Sequence, residues 1–206
     1  MQLVAYGAQD AFLTGNPQIT FFKVVYRRHT NFSMESIEQT INGSATGLNN
    51  TATVSRNGDL IHRMYLQLEV AYAADNDNND ALNGVTDHID NVSVEIGGQR
   101  IDKHTGRWMD VWNELTQAES KKTAYNTMTG VAADATATAG TTATLYIPLQ
   151  FWFCRNPGLA LPLIALQYHE VKVSMAWKAS GANNAATNQK STITDKKLYV
   201  DYIYLD

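Results

Sequence analysis

The sequence predicts an all-β, antiparallel sandwich of about eight strands, with one short helix and long surface loops. Apolar and polar residues alternate along several segments, which is the period that side chains follow on a strand with one buried face. Turn signals at residues 42–43, 57–59 and 97–98 separate these segments. Two tracts with few large apolar side chains, residues 128–144 and 179–194, predict surface loops.

Residues 1–30 predict an amino-terminal arm, and residues 31–206 predict the sandwich domain. The Asn16-Pro17 pair indicates a turn in the arm, because the residue before a proline is pushed out of the helical region. The arm carries four aromatic side chains: Phe12, Phe21, Phe22 and Tyr26. Exposed rings need a receiving surface, so they pack either on their own domain or on a partner.

The first half of the domain contains the clearest strands. One covers residues 32 to about 41, and another follows the Asn57-Gly58-Asp59 hairpin signal at residues 60–72. On this second strand, alternation assigns one side to the core: Leu60, His62, Met64, Leu66, Leu68, Val70 and Tyr72. The opposite side would hold Ile61, Arg63, Gln67 and Glu69. Two shorter strands, 92–96 and 99–102, meet at the Gly97-Gly98 turn.

A single helix is predicted after these strands. Trp108, Val111, Trp112, Leu115 and Ala118 recur at spacings of three and four, which places them on one apolar stripe. The stripe predicts a buried face, packed either on its own sheet or against another subunit.

The second half predicts two alternating strands joined by an apolar connector that prolines interrupt, and a last strand at residues 198–205. The first strand would bury Leu145, Ile147, Leu149, Phe151 and Phe153, and the second would bury His169, Val171, Val173, Met175 and Trp177. Three large rings, Tyr146, Trp152 and Tyr168, would lie near the other faces. Strands that are apolar on both faces favour packing against other copies or domains.

Composition excludes several classes of function. The 206 residues carry a net charge of −4 and the pI is about 5.7, whereas proteins that grip phosphate backbones usually carry a basic excess. The sequence therefore predicts no direct nucleic-acid partner. The single cysteine, Cys154, rules out an internal disulfide framework and favours a reducing compartment. The longest apolar run is too short to span a membrane, so a soluble protein is expected.

The residues show no pattern that indicates catalysis, a cofactor or a metal. Asp75, Asp77 and Asn79 have the spacing of a calcium loop, but the sixth position is Asp80 and the twelfth is Thr86. The five histidines are scattered, and His62 and His169 lie on predicted apolar faces, which is typical of core histidines. Cys154 follows an apolar segment and is expected to be a buried, inert thiol. We predict that the protein is not an enzyme.

Four blocks of sequence stand out along the chain. The first is amino-terminal and consists of LVAYGAQD (3–10), LTGNPQITFFK (13–23) and YRRHTNF (26–32); the others are IGGQRID (96–102), FWFCRNPGLALPLIALQYHEV (151–171) and LYVDYIYLD (198–206). In this order they resemble the major capsid proteins of large icosahedral DNA viruses of eukaryotes. The resemblance extends from one end of the chain to the other. It implies a jelly-roll topology and a structural role in an icosahedral virion shell, reached after synthesis in the host cytoplasm.

The resemblance also implies partners. Members of this family contain two consecutive jelly rolls, and three copies form a trimeric, pseudo-hexagonal capsomer. The blocks found here belong to the first roll, and the second roll is absent from this chain. The chain is therefore expected to be a fragment or truncated product, and the alternative is a variant that assembles differently. The implied partners are further copies of the chain in the homotrimer and neighbouring capsomers, together with minor capsid proteins or the internal viral membrane.

Candidate interface residues come from two regions. Lys23, Arg27 and Arg28 form a basic cluster in the arm, which is either a solvated face or a contact with an acidic partner or an anionic membrane. Trp108, Trp112 and Trp152 are candidate anchors, because aromatic side chains dominate interface energies, and each is equally a candidate for the core. Alternative functions are a single-roll minor or vertex capsid protein and a carbohydrate-binding β-sandwich.

Overall fold

A computed structural model describes residues 30–44, 47–72, 83–131, 142–178 and 191–206. The chain divides into two units, residues 34–204 and a smaller one of which residues 30–33 and 205–206 are described. In the smaller unit the backbone amide of Asp206 donates to the Asn31 carbonyl at 3.2 Å. The Asn31 amide side chain in turn donates to the Asp206 carboxylate at 3.2 Å.

Ten strands form two antiparallel sheets within the described residues. They are β1 (Phe32–Gln39), β2 (Ile41–Asn42), β3 (Asn49–Thr53), β4 (Leu60–Tyr72), β5 (Ile89–Ile96), β6 (Gln99–Thr105), β7 (Thr142–Pro148), β8 (Leu161–Pro162), β9 (Val171–Trp177) and β10 (Ser191–Leu205). One sheet has the order β1-β10-β4-β7, with β8 paired to β4, and the other has the order β2-β3-β9-β5-β6. Eight of these strands are five residues or longer. Among these eight, only β5 and β6 are consecutive in the chain and also neighbours in one sheet. Every other connection between them crosses to the other sheet, which is jelly-roll topology. The predicted eight-stranded all-β fold is confirmed.

Three helices accompany the sheets in the described part of the chain: α1 (Gly106–Thr116), α2 (Glu119–Thr129) and the single turn α3 (Trp152–Arg155). The sequence predicted only the first. In α2 only Tyr125 and Thr129 are buried, so its sequence carries no broad apolar stripe that would reveal it. The helix ends at Gly130, whose φ of 78° lies in the left-handed region that glycine adopts without strain.

The core lies between the two sheets and is built from the apolar side chains that alternation selected. In β4 the residues Met64, Leu66, Leu68 and Val70 are fully buried or nearly so, and in β9 the buried set is Val171, Val173, Met175 and Trp177. The predicted strands at residues 60–72, 92–96 and 99–102 are confirmed. The last strand starts at Ser191, earlier than residue 198, so that strand was predicted too short.

A bulge in β4 explains why one prediction of facing was wrong. Met64 pairs with Val200 and Ile61 with Tyr202, so two residues of β4, His62 and Arg63, lie opposite the single residue between them on β10. The extra residue reverses the side of the sheet on which the preceding residues of β4 place their side chains. Ile61, assigned to the polar side, is therefore completely buried.

The Asn57-Gly58-Asp59 segment is not a hairpin turn, contrary to the sequence prediction. It links β3 in one sheet to β4 in the other, and Gly58 does not have a positive φ. Glycine is needed there for close approach, because a Cβ at Gly58 would lie 2.9 Å from the Cβ of Tyr202. The Asp59 amide donates to the Ile203 carbonyl at 3.0 Å and fixes this crossing.

The strand predicted to run through Phe153 ends instead at Pro148. Proline has no amide hydrogen for the ladder, and α3 begins four residues later. Leu149, Phe151 and Phe153 are nevertheless buried, as alternation predicted, although the last two lie at and within α3. The second strand starts at Val171, so His169 is exposed and its assignment to a core face was wrong.

Candidate assembly surface

Helix α1 is attached to the sandwich through a face that the apolar stripe did not identify. Its buried residues are Gly106, Met109 and Asn113. A Cβ at Gly106 would lie 2.5 Å from the Ile89 carbonyl oxygen and 2.8 Å from that of Val85, so only glycine lets the helix approach β5 this closely. The Thr105 hydroxyl caps the helix by accepting from the Trp108 amide at 3.2 Å.

The helix continues an aromatic column that starts in the core. The column consists of Phe153, Phe151, His104, Trp108 and Trp112. Successive ring centroids are 5.8, 4.9, 4.0 and 5.5 Å apart, and all the interplanar angles are below 30°. The first three rings are buried and the two tryptophans are half-buried. The column therefore passes from the sandwich interior to its surface.

Arg155 covers the outer end of the column. Its guanidinium carbon lies 4.2 Å from the Trp112 ring centroid and 5.7 Å from that of Trp108, and its Nε donates to the Gln150 carbonyl at 2.9 Å. A guanidinium stacked on an indole is a favourable cation–π arrangement. A cleft of about 450 Å³ opens beside it, with Trp112, Arg155 and Tyr65 in its wall.

His104 connects strand β6 to this column. Its Nε2 lies 3.1 Å from the Asp102 carboxylate. Burial lowers the pKa of His104 most strongly, the Asp102 charge acts in the opposite direction, and Arg155 lowers the pKa further. The imidazole is thus held as a mainly neutral, flat spacer between Phe151 and Trp108.

The outermost apolar feature of α1 is a pair of aliphatic side chains, here called the α1 ridge. It consists of Val111, which is 53% exposed, and Leu115, which is 78% exposed. The predicted stripe is therefore divided. Trp108 and Trp112 pack on the chain's own column, whereas the ridge contacts no core. An apolar ridge beside half-buried tryptophans is the kind of surface that protein interfaces use.

The other candidate interface residues fall in different places. Trp152 is half-buried, and its ring meets Phe153 edge-on at 5.0 Å between centroids and 89° between planes. Lys23, Arg27 and Arg28 lie outside the described residues, as do residues 75–80, whose spacing was compared with that of a calcium loop. The structure thus brings Trp108 and Trp112 together.

Reactive groups in the described residues are dispersed. Cys154 is half-buried and not fully buried as expected, and burial raises the pKa of its thiol to about 12, which disfavours the reactive thiolate. His62 is buried, and its Nδ1 donates to the Phe153 carbonyl at 3.2 Å. The described side chains of His, Cys, Asp and Glu form no group of three that would bind a metal ion. Nor does any described helix combine the length and apolarity needed to cross a membrane.

Sequence reasoning missed two residues here: His104, which belongs to the column, and Arg155, which covers its outer end. Neither residue has a signal in the apolar pattern. His104 lies on an edge strand whose residues are mostly polar, and Arg155 lies just after an apolar run. The only signal was the number of aromatic residues near them.

Comparisons with known proteins agree with this architecture. The family described as "Major capsid protein N-terminus" matches residues 20–206. The major capsid protein of Pyramimonas orientalis virus is 57% identical over 213 residues, covering 100% of this chain and 52% of that protein. The major capsid protein of Paramecium bursaria Chlorella virus 1 is 44% identical over 216 residues, covering 100% of this chain and 47% of that protein.

A solved structure of the PBCV-1 virus capsid superposes with a TM-score of 0.75 at 38% identity, covering 91% of this chain and 46% of that chain. The chain thus spans about half the length of the relatives it matches. It belongs to the major capsid protein family of large icosahedral DNA viruses and corresponds to the amino-terminal part of its members.

Proposed function

We propose that this chain is the first jelly-roll unit of a viral major capsid protein and that it builds trimeric, pseudo-hexagonal capsomers of an icosahedral shell. The observation that carries the proposal is the 57% identity to a major capsid protein over the whole chain, together with the matching two-sheet topology. The work of such a protein is assembly, which requires no chemical step. Its place is in the virion, after synthesis in the host cytoplasm.

The α1 ridge is the contact surface that this proposal assigns to assembly. Val111 and Leu115 are apolar and exposed, and they lie on a helix that Gly106 and the aromatic column hold rigidly. A rigid support lowers the entropy lost when a surface docks. Trp108 and Trp112 would contribute the partly exposed edges of their rings beside the ridge, and Trp152 on α3 would contribute a separate half-buried ring.

The basic cluster of the arm is assigned to a second contact. Lys23, Arg27 and Arg28 would meet minor capsid proteins or the internal membrane on the inner side of the shell, because three cations close together favour an acidic partner. Reversing all three charges should weaken the association of the capsid with its inner layer. Unchanged association would remove this contact from the proposal.

The ridge is tested by replacing both of its residues, Val111→Ser with Leu115→Ser. Exposed apolar side chains contribute little to monomer stability, so the free energy of unfolding should stay within about 0.5 kcal/mol of the wild-type value. Self-association, measured by sedimentation velocity and by incorporation into virus particles, should fall. The matched control is Ile101→Ser, an exposed aliphatic residue on edge strand β6. Wild-type assembly by the double variant would refute the assignment of the ridge.

A further inference from the structure

A small pocket is lined by residues from the end of β9 and the start of β10, and it shares no lining residue with the α1 ridge. Its volume is about 120 Å³, and its wall includes Lys178 at the end of β9, Lys196 in β10, and His88 just before β5. The wall also includes the backbone around Gly47 and the side chain of Trp177. A pocket of this size holds a few water molecules or one small polyatomic ion, since a water molecule occupies roughly 30 Å³.

Lys196 brings a buried positive charge to this pocket. Its Nζ donates to the Gly47 carbonyl at 2.8 Å and to Asn50 Oδ1 at 3.1 Å, and it lies 4.8 Å from the Trp177 ring centroid. All of these partners are uncharged. Burial lowers the pKa of Lys196, and no carboxylate of the described residues offsets that effect. A buried ammonium without a counter-charge is unfavourable unless an anion approaches it.

His88 supplies a second, unused polar group. Its side chain is 97% buried, and Nε2 has no hydrogen-bond partner among the described residues. Buried ring nitrogens normally have partners, so the unpaired Nε2 of this pocket-lining histidine is available to a ligand that the ring can reach. Lys178 is close enough to lower the pKa of His88, and its ammonium donates to the Thr86 carbonyl. Asp87 is the carboxylate that interacts with Lys178.

We propose that this pocket binds a small oxyanion, a phosphate or a carboxylate group, between Lys196, Lys178 and His88. Two ammonium groups supply the charge, and His88 Nε2 supplies a directed donor. Cations are disfavoured because both charged side chains in the wall are lysines. An apolar ligand would leave His88 Nε2 and the third Lys196 donor unpaired.

The test follows the imidazole of His88 by nitrogen NMR in the full 206-residue chain while inorganic phosphate is added, with acetate and chloride titrations at equal ionic strength. An anion beside Nε2 favours the imidazolium, so the pKa of His88 should rise with saturable dependence on the ligand. A stronger response to phosphate identifies an inorganic phosphate site, and a stronger response to acetate identifies a carboxylate site. A response equal to that of chloride, or none, overturns the proposal.

Matched lysine variants separate binding from general screening. Lys178→Met and Lys196→Met should each weaken the anion-dependent response by tenfold or more. The control is Lys197→Met, because Lys197 neighbours Lys196 on β10 but pairs with Asp195 at 4.0 Å. Lys178 is exposed, so its variant retains the fold even if Lys196→Met does not. Equal anion affinity of Lys178→Met and the wild type would contradict the site.

Discussion

The Arg155 guanidinium lies over the face of the Trp112 indole, with 4.2 Å between its central carbon and the ring centroid. Arg155 belongs to α3 and Trp112 to α1, so the contact joins two segments that are distant in sequence. It closes the column that runs from Phe153 to the surface. We expect the position of α1, and therefore of the α1 ridge, to depend on it.

Replacing Arg155 should loosen this contact. Arg155→Lys keeps the charge but loses the planar group that stacks, so the free energy of unfolding should fall by about 0.5–1 kcal/mol, as for other exposed cation–π pairs. Urea denaturation followed by tryptophan fluorescence measures the stability, and Trp112 is one of the four tryptophans that contribute to the signal. The control is Arg107→Lys, an exposed arginine on α1, the helix that carries Trp112. Equal stability of the two variants would show that the stacking contributes nothing.

Gly106→Ala should displace α1. The new Cβ would lie 2.5 Å from the Ile89 carbonyl oxygen, and backbone atoms do not move aside as a side-chain end does. We expect a loss of about 1–3 kcal/mol, which is typical of overpacking, measured by thermal or chemical denaturation. Gly158→Ala is the matched control, because its Cβ would make only an ordinary contact of 3.5 Å with Asn156. A neutral Gly106→Ala would mean that the helix tolerates a wider separation.

Asn50 stabilises the end of the sandwich through several hydrogen bonds. Its Oδ1 accepts from Trp177 Nε1 at 2.8 Å and from Lys196 Nζ at 3.1 Å, and its amide donates to the Ser44 carbonyl at 3.1 Å. Asn50→Ala leaves buried donors unpaired, so we expect a loss of about 1–3 kcal/mol for each one that water does not reach. Chemical denaturation beside Asn49→Ala, the exposed neighbour on β3, measures the difference. Similar stabilities would indicate that water replaces the lost acceptor.

His88 should make stability depend on pH. Burial, with a smaller contribution from Lys178, lowers its pKa to about 4, whereas an unfolded histidine titrates near about 6.5. Below pH ~6.5 the unfolded chain binds a proton that the native chain refuses. The stability contributed by neutral His88 is therefore complete above this pH and is lost as the pH falls toward 4, by up to about 3 kcal/mol.

The comparison of wild type with His88→Gln isolates this effect, since Asp87 and the other titrating groups are common to both. The stability advantage of the wild type should shrink between pH 7 and pH 4 in phosphate-free buffer. An advantage that stays constant over this range would contradict the buried, neutral state of His88.

The sequence predicted the fold well where a side chain's environment depends only on strand periodicity. Leu66, Leu68 and Val173 are buried as alternation requires, because they lie on uninterrupted stretches of their strands, beyond the bulge in the case of β4. Periodicity failed where another constraint took precedence. The bulge at His62 and Arg63 reversed the facing of Ile61, and Pro148 ended β7 before Phe153.

The candidate assembly surface was only half predictable. Spacing selected Trp108 and Trp112 correctly as neighbours, but it assigned Val111 and Leu115 to the same buried face. The helix instead turns Met109 inward, because Gly106 permits its close approach to β5. A Cβ clash between distant segments leaves no trace in local sequence. The same applies to the pairing of Arg155 with Trp112.

The bulge in β4 also affects how related sequences should be compared. Because one strand contains a residue that its neighbour does not match, an insertion or deletion here would interchange inside and outside for only the short stretch around Leu60 and Ile61. Relatives that differ in length at this point would preserve the rest of the ribbon unchanged. An alignment gap placed at residues 62–63 therefore disturbs little of the structure. A gap placed beside Leu66 would exchange the buried and exposed sides of the long, tightly packed half of the strand.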